Sequence, residues 1–122
     1  APEHIHVFES AIDAMSYATI LLLNGRDWKK ETFLSLAGVY KTKREKVVPV
    51  ALERYLKDYP SIKTVHLHLD NDGIGRGAVA GIVSGLQEKY TVLDEPPLHG
   101  KDVNDELKIR VGIMREREEI ER

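Results

Sequence analysis

Apolar residues alternate with histidine near the start of the chain. His4-Ile5-His6-Val7-Phe8 repeats every second position, the period of a strand with one buried face. The period then changes. Ser10-Ala11-Ile12-Asp13 reads as a helix start in which the Ser10 hydroxyl caps free backbone N–H groups and Asp13 answers at the third helical position. Ile12, Met15, Ala18, Ile20 and Leu22 are among its apolar positions, and Asn24-Gly25 marks its end. Phe33 to Gly38 holds a short apolar run that predicts a second strand. A polar stretch, Lys41 to Lys46, separates it from a helix over about Val47 to Asp58, where Val48, Leu52, Tyr55, Leu56 and Tyr59 share a stripe; Pro60 ends it. Thr64 to Leu69 is the clearest strand, β-branched at its start and alternating His with apolar residues. Small residues open a third helix, Gly75 to Lys89, with Ala78, Ile82 and Leu86 facing inward. Tyr90 to Leu93 predicts a fourth strand, broken by Pro96-Pro97, and Asn104 to about Arg117 a last helix before a charged, fraying end.

The order is βαβαβαβα. This alternation predicts an α/β fold with a mostly parallel four-stranded sheet and helices on both faces. In such sheets functional residues gather at the carboxyl ends of the strands. No internal repeat or low-complexity tract interrupts the pattern.

Composition sharpens this reading in three ways. At 122 residues, 42% hydrophobic and 31% charged, the chain suits one globular domain with a working core. The longest apolar run, Ala18 to Leu23, is far below the roughly 20 residues that cross a bilayer, and no basic segment leads into an apolar one at the N-terminus. A soluble protein is expected. Cysteine is absent, which excludes disulfide staples and cysteine-ligated zinc and suits a cytoplasmic setting. The first residue is Ala1, and a strand begins almost at once, so residues 1–122 read as one domain excised from a longer protein.

The net charge of −2 conceals an asymmetry: Arg26 to Lys63 carries ten basic and five acidic residues, a local +5, and the remainder a local −7. The acidic part suits cations. The basic part, with Lys29, Lys30, Lys41, Lys43, Arg44 and Lys46, is either a surface for a phosphate backbone or a solvated face. Trp28 and Tyr40 in the same segment suit stacking on a base or ordinary packing.

Glu9 follows the first strand, and Asp70 and Asp72 follow the third, so a parallel sheet projects all three from one edge. Neighbouring strands lie about 5 Å apart, within reach of one hard cation such as Mg²⁺, which takes a few carboxylates plus waters and phosphates. Without a cation, crowded acids raise each other's pKa values. Leu69-Asp70-Asn71-Asp72-Gly73 admits three rival readings. An EF-hand loop from His68 needs a bidentate Glu at the position held by Val79, and fails. A dehalogenase-like phosphatase nucleophile motif belongs at the opening of its domain and leaves Glu9 unexplained. A plain Asx turn capping the third helix needs no metal. Gly73, Gly75 and Gly77 do not make the dinucleotide fingerprint, whose third glycine falls at Ala78. His4, His6, His66 and His68 share a possible face, either as a zinc site or as structural side chains.

Beyond these local readings, the chain resembles the Toprim family over nearly its whole length. Glu9-Ser10-Ala11-Ile12-Asp13 is similar to the family's opening motif, a strand-end Glu followed four residues on by Asp. Asp70-Asn71-Asp72-Gly73-Ile74-Gly75, with Ala78, resembles its Asp-x-Asp segment. Gly100-Lys101-Asp102-Val103-Asn104-Asp105-Glu106-Leu107 resembles the third element of bacterial replicative primases, usually Gly-Lys-Asp-Pro-Asp-Glu. The likeness is nearest to primase-type Toprim domains of mobile-element and plasmid proteins. Two positions depart from it: Ser10 stands where replicative primases usually have Gly, and Val103-Asn104 replaces Pro-Asp, which removes one carboxylate.

The resemblance implies a Rossmann-like Toprim fold and Mg²⁺-dependent phosphoryl or nucleotidyl transfer on nucleic acid, with Mn²⁺ as a substitute ion. Glu9 would ligate metal or act as general acid/base toward a 3′ oxygen, and Asp70 and Asp72 would hold the ion. Asp13 would be a supporting acid or the helix-capping partner of Ser10, and Asp102 a second-site ligand or a helix cap. Arg76 and Lys101 would contact phosphate or remain solvated. The implied partners are DNA, an RNA primer, nucleotides and other domains of the parent protein. A Toprim nuclease and a catalytically idle interaction module are the alternatives.

Overall fold

In the computed structural model, residues 1–37 and 48–121 are described. Four strands, β1 (His4–Phe8), β2 (Phe33–Ser35), β3 (Thr64–His68) and β4 (Thr91–Asp94), alternate with helices α1 (Ala11–Leu23), α2 (Val50–Asp58), α3 (Gly73–Leu86) and α4 (Val103–Glu121). The strands form one all-parallel sheet in the order β2-β1-β3-β4. The βαβα alternation is thus realised as an α/β layer structure. Expected features at Gly38, Tyr40, Lys41, Lys43, Arg44, Lys46 and Val47 lie outside the described residues.

The two-residue period of β1 and β3 separates the faces of the sheet. Ile5, Val7, Val65 and Leu67 join Leu52 and Leu56 of α2 and Val79, Ile82 and Leu86 of α3 in the main core. On the other face, Phe8 packs with Ile20 of α1 and Val103 of α4, while Tyr17, Phe33 and Leu107 flank them. Helices therefore cover both faces. His6 and His68 lie among the aromatics of the α1 side: the His68 ring is 4.4 Å from Tyr17 and 4.9 Å from Phe8, centroid to centroid.

Several element ends differ from expectation for local reasons. The second helix begins at Val50 because Pro49, with φ −53° and ψ 138°, sits at its N-cap and biases Val48 away from helical geometry. The third begins two residues early, at Gly73, because Asp72 caps it: Asp72 Oδ1 accepts from the Gly75 N–H at 2.7 Å. The last begins at Val103 and continues to Glu121. In α1 the buried residues are Asp13, Ser16, Ile20 and Leu21, whereas Ile12, Met15 and Leu22 are exposed. The inward face of this helix is therefore partly polar, and that face borders the acidic residues. No helix among the described residues is long and apolar enough to cross a membrane.

Candidate metal centre

The strand order places β1 beside β3, with Phe8 opposite His68. From β1 the chain turns outward to β2; β3 and β4 then continue on the other side, so the carboxyl ends of β1 and β3 flank the point where the winding reverses. Glu9 leaves one strand there and Leu69-Asp70 the other. α1 starts immediately beyond, capped by Ser10, whose Oγ accepts from the Asp13 N–H at 3.2 Å and donates to Asp13 Oδ2 at 2.9 Å. The capping role expected of Asp13 is present, and it leaves Oδ1 facing the loop before α4, where it accepts from the Asn104 N–H at 3.2 Å.

That loop is held by its own turn chemistry. Gly100 has φ +80°, a left-handed backbone in which a side chain is strained, and a Cβ there would lie 2.5 Å from Asp105 Cβ. Asp102 Oδ1 accepts from the Asp105 N–H at 2.8 Å, and the Lys101 carbonyl accepts from the Asn71 N–H at 2.6 Å, locking the loop to the Asp70 segment. Carboxylate oxygens of Asp13, Asp70 and Asp102 converge to within 4.8 Å of one another. Asp70 Oδ1 is buried without a hydrogen-bond partner. Such an atom costs about 1–3 kcal/mol when left unmade.

Glu9 completes the arrangement. It is buried, and burial followed by the hydrogen bond and charge of Asp70 pushes its carboxyl up to about 8. Burial and the neighbouring Asp70 thus disfavour the charged form of Glu9 as long as no cation is present. Burial also raises Asp13, against the opposing pull of its Ser10 and Asn104 hydrogen bonds. These are all oxygen donors, one of them orphaned, on groups that repel without a cation. The donor set fits a hard divalent ion such as Mg²⁺.

The remaining expected site residues take other positions. Asp72 spends Oδ1 on the α3 N-terminus, and its Oδ2 lies 3.5 Å from Lys101 Nζ; the Gly75 N–H and then the lysine hold its carboxyl below the usual range. Lys101 is raised in turn, chiefly by Asp72. Arg76 donates to Asp94 Oδ2 at 2.6 Å and to the Leu69 carbonyl at 3.3 Å, and its Nε is buried without a partner. Asn104 Oδ1 accepts from Ser16 Oγ at 3.1 Å, which directs this amide oxygen toward α1. Thus Asp13, read from sequence as a supporting residue, is one of the three converging acids. The available signal was its spacing: four residues beyond Glu9, about one helical turn into α1, on the side that proves buried.

A model of the Toprim-like family matches residues 6–107, most of the chain. The chain belongs to the Toprim-like family. Comparison with curated proteins gives no match. Toprim domains bind divalent metals and serve metal-dependent, nucleic-acid-related functions, and the acidic cluster of this Toprim domain lies within the matched span.

Proposed function

We propose that this Toprim domain is a Mg²⁺-dependent phosphoryl or nucleotidyl-transfer module of primase type, with Mn²⁺ as an alternative ion. The observation that carries the reading is the convergence of Asp13, Asp70 and Asp102, with one Asp70 oxygen buried without a partner and Glu9 beside it. A bound Mg²⁺ supplies polarisation of a phosphoryl oxygen and a lowered pKa for an attacking hydroxyl. Asp70 and Asp102 would hold the ion, and Asp13 would either join them or set the α4 loop through Asn104. Asp72 would stiffen the α3 entrance and reach the ion through water or by releasing Lys101. Glu9 would either give up its proton to join Asp70 and Asp102 at the ion or serve as general acid/base toward a 3′ oxygen. Lys101 and Arg76 offer cationic groups to phosphate once Asp72 and Asp94 yield them.

We read residues 1–122 as a single domain that works beside other domains, because template-dependent synthesis also needs surface that grips the template. DNA, a primer strand and nucleotides are its proposed partners. The engagement of Asn104 by Ser16 favours a second reading, a Toprim nuclease, because one carboxylate of the primase-type loop is missing. The first test is calorimetric titration of Mg²⁺ and Mn²⁺ into wild type and a Glu9→Gln/Asp70→Asn double variant. Strong loss of binding is expected, and unchanged binding overturns the metal assignment. Primer synthesis against strand nicking, assayed in the parent protein, then separates polymerising from cleaving chemistry.

A further inference from the structure

The α1-covered face of the sheet carries a second group of ligating side chains with a different chemistry. His6 and His68 project from β1 and β3, and His6 Nδ1 lies 2.8 Å from His68 Nε2. Glu95, directly after β4, is fixed by its backbone N–H, which donates to the Leu67 carbonyl at 2.8 Å. Its Oε1 lies 3.9 Å from His68 Nε2 and also bonds His66 Nδ1. Ligand atoms of His6, His68 and Glu95 all fall within 4.8 Å of one another. Behind them, Glu31 Oε2 stands 3.2 Å from His6 Nε2. A carboxylate accepting the Nε2–H leaves the lone pair of His6 on Nδ1, the atom turned toward His68. This carboxylate–imidazole pairing orients histidine ligands in metal sites.

We propose that His6, His68 and Glu95 form a second metal site, selective for a borderline divalent ion of the Zn²⁺ class over Mg²⁺, with Glu31 as a positioning residue. Two imidazoles and one carboxylate match the three-protein-ligand sets of open zinc sites, whereas Mg²⁺ favours oxygen alone. A tetrahedral ion with bonds near 2.0–2.1 Å separates its ligands by about 3.3 Å. The 2.8 Å and 3.9 Å separations lie on either side of that value, so small side-chain shifts about His68 bring His6 and Glu95 to it, with the His68 proton moving from Nε2 to Nδ1 so that Nε2 offers its lone pair to the ion. His68 and Glu95 also line a cleft of about 560 Å³ with Tyr17, Arg26, Glu106 and Arg110, which gives an ion an entry path and its fourth position an outlet. The site is independent of the acidic cluster and does not rest on the transferase reading.

Cobalt(II) titration tests the proposal, because a tetrahedral site with nitrogen ligands gives intense visible d–d absorption and an all-oxygen octahedral site does not. An Asp70→Asn/Asp102→Asn background confines binding to the histidine face. One equivalent of Co²⁺ should bind and be displaced by Zn²⁺ but not by excess Mg²⁺. Glu31→Gln should weaken Zn²⁺ binding roughly 10- to 100-fold, and Glu95→Gln at least as much. Glu95 is substantially exposed, so its variant should keep the wild-type far-ultraviolet circular dichroism; His68→Gln provides the buried counterpart. Absence of the visible bands, displacement by Mg²⁺, or unchanged affinity in folded Glu95→Gln overturns the site. Loss of Mg²⁺ binding at the acidic cluster would leave these readouts untouched.

Discussion

The Toprim domain holds two clusters of titratable side chains, one along β1 and β3 and one just beyond their carboxyl ends, and they answer burial in opposite ways. At the carboxyl ends of the strands, Glu9, Asp13, Asp70 and Asp102 are brought together with a buried oxygen on Asp70 left unpartnered. Midway along the same strands, His4, His6, His66 and His68 stack and satisfy one another, with Glu31 and Glu95 at the margins. Carboxylates have only lone pairs to offer, so crowding them leaves a deficit of positive charge. A neutral imidazole is both donor and acceptor, so crowding histidines can close hydrogen bonds without an ion. The acidic cluster is therefore incomplete as it stands, whereas the histidine cluster is complete and can exchange its internal hydrogen bonds for a metal.

This contrast is most easily broken at Asp70. Asp70→Asn should lower Mg²⁺ affinity by more than about 100-fold, since even outer partners of a metal ligand are worth 10- to 100-fold. By removing a repulsive charge it should also leave metal-free stability unchanged or higher. A clear fall in the thermal midpoint of the metal-free variant would mean that the cluster is already satisfied without an ion.

The next largest effect is expected at Gly75. Its first-turn backbone lies so close to the Asp70 carbonyl that a Cβ would fall 2.1 Å from that oxygen, a contact no side-chain rotation relieves. Gly75→Ala should cost about 3 kcal/mol in urea unfolding, at the upper end of overpacking. Because the strain falls on Asp70, Mg²⁺ affinity should drop as well, while Zn²⁺ binding on the histidine face should be affected less.

The two clusters also separate along the pH axis. Burial, reinforced by His66 for His6 and by His6 and His66 for His68, holds His68 at about 3 and His6 at about 4, below the ordinary 6.5. The unfolded chain therefore binds more protons below pH 6.5. The stability tied to neutral histidine is full above that pH and lost as pH falls toward 4, at up to roughly 1.4 kcal/mol per pH unit for each residue. Glu9 runs the other way: raised from 4.5 to about 8, it favours the metal-free fold below pH 4.5, and that contribution is lost as pH rises through 8. Since metal binding must displace its proton, the rise in thermal midpoint given by Mg²⁺ should grow between pH 6 and pH 8.5. Differential scanning calorimetry across that range checks both limbs, and Glu9→Gln should flatten the Mg²⁺ limb alone.

The smallest effect distinguishes Asp72 from its neighbours. As an N-cap it should cost about 1 kcal/mol when replaced by Ala. If capping is its main contribution, Asp72→Asn, which keeps an oxygen for the Gly75 N–H, should restore that stability and bind Mg²⁺ within a few-fold of wild type. A loss as large as that of Asp70→Asn would make Asp72 a direct ligand.

Much of this architecture was legible in the chain. The His-apolar alternation at His4–Phe8 and Thr64–His68 marked two strands, Ser10 and Asp13 marked a helix start, and the carboxylates at strand ends marked the edge of the sheet where Asp13, Asp70 and Asp102 converge. Boundaries slipped where single residues decided them: Pro49 delayed α2, and Asp72 advanced α3 by capping it. Asp72 and Asp13 exchanged weight for a related reason. α1 is capped by Ser10, which leaves Asp13 on the inward side, while α3 has no such serine and takes Asp72 itself. Glu31 and Glu95 gave no sequence signal as partners of the histidines, because neither lies near them along the chain.

By itself, the amino-acid sequence determined the succession of strands and helices and the edge of the sheet from which acids would project. Those follow from backbone periods and caps, which depend on residues within one or two turns. Tertiary structure alone decided that β1 lies against β3, that Asp13 and Asp102 meet at Asp70, and that Asn104 turns to Ser16. These contacts join distant segments, and their geometry is set by how helices pack across an open sheet. No local period encodes that packing.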